Sequence, residues 1–283
     1  MSNRVYEIVT EKIAEKLEQG EVPWHMPWHS SAGSPKNFVT MKDYRGINII
    51  LLSMSGYSCP YWISFKQVKE KGGRVKAGEK GTLIVFYKWL EHEDKENPED
   101  VTRIPMLRYY YVFNLEQTTG IDFKMPEEAL NGNSKIDNCE NIVNGYIDKP
   151  KIVCSRKACY SPSFDCIQMP SLEQFESSEF YYSTLFHEMV HSTGHENRLN
   201  RRTVTDLCPF GSSNYSKEEL VAEIGAAFLC GITGIENKTI DNSTAYIRGW
   251  LRVLRNDRRM VVLAAGAAQK AADYIQNRNT NKE

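Results

Sequence analysis

The stretch Tyr182-Ser-Thr-Leu-Phe-His187-Glu188-Met-Val-His191-Ser-Thr-Gly-His195 carries three of the chain's six histidines. On a helix, positions four apart share one face, so the imidazoles of His187 and His191 can reach one metal ion. Glu188 falls at the edge of that face, where a carboxylate can take a proton from a water held by the ion. Two ordinary surface histidines on a helix would give the same spacing, but the sequence around them favours the metal reading.

The arrangement is the H-E-x-x-H pattern of zinc peptidases. A catalytic zinc takes three protein ligands and keeps one position open, so a third ligand must come from elsewhere. An H-E-x-x-H-x-x-G-x-x-H spacing would need histidine at 197, where Asn197 stands. His195 would ligate only if the helix ran on through Gly194, which glycine disfavours. A better source is Glu218-Glu219-Leu-Val-Ala-Glu223-Ile-Gly-Ala-Ala-Phe228. Glu219 and Glu223 share one helical face. Leu220, Ile224, Ala227 and Phe228 form the other, and the small residues Gly225, Ala226 and Ala227 permit a close approach to the histidine helix. Glu218 alone reads as a solvated carboxylate at a helix start. An E-x-x-x-E face beside H-E-x-x-H resembles the gluzincin peptidases. That resemblance implies Glu219 as third ligand, Glu223 as the carboxylate that orients a ligand histidine, and Glu188 as general base, with one Zn2+ per chain. The reverse assignment of Glu219 and Glu223 stays open. Tyr215, Tyr246 and Arg248 are candidate oxyanion donors, and Ala158 to Pro170 is a candidate edge strand where a peptide could pair.

The chain has 283 residues, a hydrophobic content of 41% and a charged content of 25%, which suit a globular protein of two domains. A net charge of -1 gives no whole-molecule nucleic-acid signal, but Lys36 to Lys88 holds 10 Lys/Arg against 3 Asp/Glu. Seven cysteines, with no C-x-x-C pair, fit a reducing compartment better than a disulfide framework. The N-terminus lacks the apolar core of a signal peptide, and no run of 18 apolar residues occurs. A cytoplasmic protein without membrane contact is expected.

Hydrophobic spacing predicts a helix over 4–19, ended by Gly20 and Pro23, then a loop over 24–35 and a helix from Ile49 to Met54. Ser64 caps a helix to Lys71. Strands are expected over Thr82–Leu90 and Arg108–Phe113, with the acidic segment 91–100 as their exposed connection. Residues 1–117 thus read as an α+β domain and 118–140 as a linker. Residues 141–283 read as a mainly helical domain with strands at 151–153 and 166–169. Its expected helices cover Leu172–Thr193, Ser216–Cys230 (Ser216 as N-cap, boxed with Glu219), 242–256 and 258–277.

In the N-terminal half, Trp24, Trp28, Tyr44, Tyr57, Trp62 and Phe65 are interleaved with Lys42, Arg45, Lys66, Lys76 and Lys80. Such mixtures bind single-stranded nucleic acid, with bases stacking on rings and cations tracking phosphates. The same composition also fits core aromatics and a solvated basic face. Val22-Pro-Trp24, Pro27-Trp28, Tyr44-Arg-Gly-Ile-Asn48, Pro60-Tyr-Trp62 and Val112-Phe-Asn114-Leu-Glu-Gln117, followed by the histidine and glutamate motifs, resemble the ArdC-type antirestriction proteins of mobile elements. The resemblance covers nearly the whole chain. It departs at Ser192, where the family has tryptophan, and in the near-neutral charge. It implies an N-terminal domain that binds single-stranded DNA through residues such as Trp24, Trp28, Lys42, Tyr44, Arg45, Asn48, Trp62, Lys66, Lys76 and Lys80. It also implies a C-terminal zincin-like metallopeptidase domain whose substrate is a DNA-bound host protein. The alternative is a non-catalytic protein that coats DNA and keeps a structural or vestigial zinc.

Overall fold

The structure, a computed structural model, describes residues 2–25, 34–93, 101–124, 135–205, 213–235 and 244–278. Trp28, residues 94–100 of the acidic connection, residues 125–134 of the expected linker and the side chains of Tyr215 and Tyr246 lie outside the described part.

The first helix, α1 (Ser2–Glu18), places Val5, Val9, Ile13 and Leu17 on one buried face. Burial of each such side chain contributes about 1.5–3 kcal/mol. Gly20 follows with φ +81°, a left-handed conformation that glycine adopts without strain. Next come β1 (Lys36–Asn37), α2 (Ile47–Ser53), β2 (Tyr61–Ser64), α3 (Phe65–Glu70), β3 (Arg74–Val75), β4 (Thr82–Glu93), β5 (Val101–Asn114) and β6 (Thr118–Thr119). Four of these strands form a sheet of order β1-β2-β5-β4, in which β4 and β5 pair antiparallel from Thr82↔Val112 to Glu93↔Val101. Ser64 caps α3 through a box with Gln67, as its sequence predicts.

The expected linker is ordered at both ends. Thr118 and Thr119 pair with β3, and α4 (Lys135–Gly145) buries Cys139 and Val143. The chain continues through β7 (Lys151–Cys154), β8 (Cys159–Ser161) and β9 (Cys166–Met169), a sheet of order β7-β9-β8. Helices α5 (Ser178–Ser192), α6 (Arg202–Thr205), α7 (Ser213–Thr233), α8 (Thr244–Asn256) and α9 (Met260–Ile275) complete it. The element expected over Leu172–Thr193 is broken: a 3-10 turn covers Leu172–Gln174, and α5 restarts where the Ser177 hydroxyl accepts from Phe180 N at 3.2 Å. Ser216 is not an N-cap, because α7 begins a turn earlier at Ser213.

One apolar core runs through both halves of the chain. It includes Val9 and Ile13 of α1, Trp24, Ile50 of α2 and Leu83 of β4, together with residues of α5, α7 and α9. The described cysteines are all free. Among the described residues, no helix is long and apolar enough to cross a membrane.

Candidate metal centre

Helices α5 and α7 pack side by side, and one glycine sets their distance. A Cβ on Gly225 would stand 2.8 Å from Val190 Cγ2, so only hydrogen fits there. Ala226 and Ala227 are fully buried beside it. This contact brings the polar faces of the two helices together. His187, His191 and Glu219 each present a donor atom, all within 4.8 Å of one another. The two Nε2 atoms stand 3.0 Å apart, and each lies 3.6 Å from a Glu219 carboxylate oxygen. A tetrahedral ion with bonds of about 2.0–2.2 Å spaces its N and O donors roughly 3.3 Å apart. The observed distances bracket that value, so the donor set fits such an ion.

Behind the donors stand two more carboxylates. Glu223 Oε1 lies 3.7 Å from His187 Nδ1, a charge contact rather than a hydrogen bond. Glu218 Oε1 lies 3.3 Å from His191 Nδ1, which turns the Nε2 lone pair of that ring toward Glu219. Glu218 is therefore not the solvated carboxylate its sequence position implied: it is 5% exposed. Arg201 Nη2 donates to Glu218 Oε1 at 2.6 Å and Thr203 Oγ1 to Oε2 at 2.5 Å. Arg201 also donates to Val190 O and Thr193 Oγ1, tying Glu218 to the end of α5. Burial acts to raise the Glu218 pKa, but the His191 hydrogen bond and the Arg201 charge prevail and hold it at about 2. For His187, burial acts downward and is outweighed by the nearby Glu219 carboxylate and the charges of Glu223 and Glu188, which lift the imidazole to about 9.

Glu188 is buried on α5, and its Oε2 accepts a 2.6 Å hydrogen bond from Tyr160 N on β8. The single edge strand expected over 158–170 is broken by a turn: β8 lies at one edge of its sheet, whereas β9 is central. Arg198 clamps this edge: it pairs with Asp165, donates to the Tyr160 hydroxyl at 3.3 Å and to Ser192 O at 2.7 Å. His195 stays out of the donor cluster. Helix α5 ends at Ser192, and His195 Nδ1 accepts instead from Asn197 N at 3.3 Å. The turn needs Gly194, where a Cβ would meet Val204 Cγ2 at 2.4 Å. Arg248 is exposed on α8.

The residues singled out for DNA contact separate. Trp24 is fully buried, edge-on to Trp250 with ring centres 6.0 Å apart, and is a core residue unable to stack on a base. Asn48 is structural as well: its side chain exchanges hydrogen bonds of 2.8 and 2.7 Å with the Val85 backbone. Arg45 pairs with the buried Asp273, Lys66 with Glu70, and Lys76 donates to Glu116 O at 2.6 Å. Lys42 and Lys80 are exposed, Tyr44 is half-buried and Trp62 is nearly covered. Strand alternation exposes aromatics that composition did not single out. Phe86 and Tyr110 sit on the sheet face that carries Ile84 and Val112, against which Tyr44 packs.

The two helices, the edge strand and the sheet-built N-terminal half define a zincin-type domain behind an α+β module. Residues 141–267 match the zincin-like metallopeptidase family MPTase-PolyVal, and residues 3–113 match the N-terminal domain of anti-restriction factor ArdC. The crystal structure of the antirestriction ArdC protein from plasmid R388, metal-free, superposes with a TM-score of 0.77 at 35% identity, covering 96% of each chain. Its Mn(II)-bound form gives 0.76 at 35% identity, covering 98% of this chain and 99% of that one. A Sinorhizobium fredii protein, y4eC, is 32% identical over 99% of this chain and 94% of its own length. Two Escherichia coli proteins named DNA primase TraC are 34% and 33% identical over 95% of this chain, which spans only 20% and 27% of their lengths. The chain belongs to the ArdC antirestriction family.

Proposed function

We propose that this chain is an antirestriction protein that binds single-stranded DNA and carries a zinc-dependent peptidase centre. The observation that carries the reading is the three-donor cluster of His187, His191 and Glu219 with Glu188 buried beside it. His187, His191 and Glu219 hold the ion, and Glu223 and Glu218 orient the two imidazoles from behind. The Mn(II)-bound R388 structure supports a divalent ion. At a site of two imidazoles and a carboxylate, zinc binds more tightly than manganese. When bound, zinc polarises a carbonyl and lowers the pKa of water toward 7. Glu188 accepts the proton released and passes it to the leaving amine. The Tyr160 amide fixes one oxygen of Glu188 and leaves the other for this transfer. The edge of β8 offers a register for an extended peptide, which on this reading belongs to a DNA-bound host protein.

Exposed Phe86 and Tyr110, with Arg108 and the lysines of the N-terminal half, supply the rings and cations that a single strand needs. The test is Glu188→Ala, scored by DNA transfer into a restricting host and by oligonucleotide binding. Lost protection with intact DNA binding is expected. Full protection would overturn the catalytic role and leave a DNA-coating protein.

A further inference from the structure

A cavity of about 220 Å³ opens where the two halves of the chain meet. Tyr44, Tyr57 and Trp62 line it from the N-terminal half, and Phe228, Gln269 and Arg278 from the C-terminal half. An apolar cavity of about 150 Å³ accepts benzene, so this one has room for a heteroaromatic ring of one or two cycles. Its aromatic wall is built: Tyr57 meets Trp62 edge-on at 5.7 Å, and Tyr44 and Tyr57 both pack on the cluster of Leu52, Trp62, Ile84 and Val112.

Among the described residues, the charges that line the cavity leave one cation over. Arg45 is bound to Asp273, and Asp43 lies 3.6 Å from Lys36. The exposed Arg278 guanidinium has no ion-pair partner among the described residues. A ligand that suits this lining is a flat ring carrying an anionic group, and a nucleotide meets that description. Phe86 and Tyr110 are exposed on the sheet face against which Tyr44 packs, so neighbouring bases have platforms outside the cavity.

We propose that this cavity takes up one base of a single-stranded DNA chain, with the adjacent phosphate at Arg278. The proposal rests on the reading of the chain as a single-strand binder and adds the place where a base is held. Phe228 comes little more than one turn after Glu223 on α7, so the cavity and the metal centre share a helix.

The experiment uses the full chain and short thymidine oligonucleotides, some with a single 5-iododeoxyuridine and some with a single abasic position. Tyr57→Ala weakens binding about tenfold, and Tyr57→Phe retains it. Arg278→Ala, an exposed change that leaves the melting temperature unaltered, weakens binding too. Irradiation of the iodinated strand couples it to Tyr44 or Tyr57, located by peptide mass spectrometry. The abasic strand binds the wild type more weakly but loses nothing further with Tyr57→Ala. Free thymidine monophosphate competes only at far higher concentration than the strand; equal competition would overturn the proposal in favour of a free-nucleotide site. If no oligonucleotide binds, the single-strand reading falls and the proposal with it. If strands bind all variants alike and couple elsewhere, the cavity assignment alone falls.

Discussion

Glu218 Oε1 stands 3.3 Å from His191 Nδ1 while accepting from Arg201 at 2.6 Å, so one buried carboxylate joins an imidazole to a guanidinium. The carboxyl is held at about 2, below its ordinary 4.5. A depressed folded pKa gives stability that is complete above pH 4.5 and is lost as pH falls from there toward 2. Glu218→Gln is expected to lower stability at pH 7 by on the order of 3 kcal/mol. It should also flatten the acid limb of the unfolding curve. Denaturant titrations from pH 2 to 7 check both. The variant should bind zinc about 10-fold more weakly, because His191 then hydrogen-bonds a neutral acceptor in place of the anion that raises its basicity.

His187 in the metal-free protein is expected to hold a proton at pH 7, since its pKa stands at about 9. An ion must displace that proton, so binding releases close to one proton per chain. Apparent affinity should rise about tenfold per pH unit between pH 7 and 9. Titration calorimetry in two buffers of different ionisation enthalpy measures the release. A heat that does not change with the buffer would show His187 already neutral.

Gly225→Ala tests the helix contact that assembles the site. Alanine favours a helix over glycine by about 1 kcal/mol, but its Cβ at 2.8 Å from Val190 is far inside the normal 3.5–4.0 Å contact. Overpacking of this kind costs about 1–3 kcal/mol. A net loss of stability is expected, with weakened metal binding, and Val190→Ala added to the variant should recover part of both. A more stable Gly225→Ala would mean that the two helices adjust freely.

The donor cluster is legible in the sequence where local spacing places it. His187 and His191 stand four apart on one face of α5, Glu219 and Glu223 four apart on one face of α7, and the small residues at 225–227 announce the close approach. Glu218 was not legible, because its burial depends on Arg201 and Thr203 reaching back from the turn after α5. Composition does not separate rings that fill a core from rings left on the surface: Trp24 is buried against Trp250, while Phe86 and Tyr110 are exposed. Only the register of β4 and β5 shows which side each ring faces. Asn48 looked like a polar contact residue and instead closes the Val85 backbone. The start of α7 was read one turn late because Ser216-x-x-Glu219 imitates a capping box, while Glu219 faces the histidines. Helix α4 is not legible in the sequence because Cys139 and Val143 are its few residues that reach the core.

The central claim is that His187, His191 and Glu219 hold one zinc. The direct measurement is metal content by plasma mass spectrometry on purified wild type and Glu219→Ala, each stripped, reloaded with zinc and dialysed. The wild type should retain about one zinc per chain and Glu219→Ala well under half of that. A wild type that stays metal-free, or a Glu219→Ala variant that keeps a full equivalent, would contradict the account.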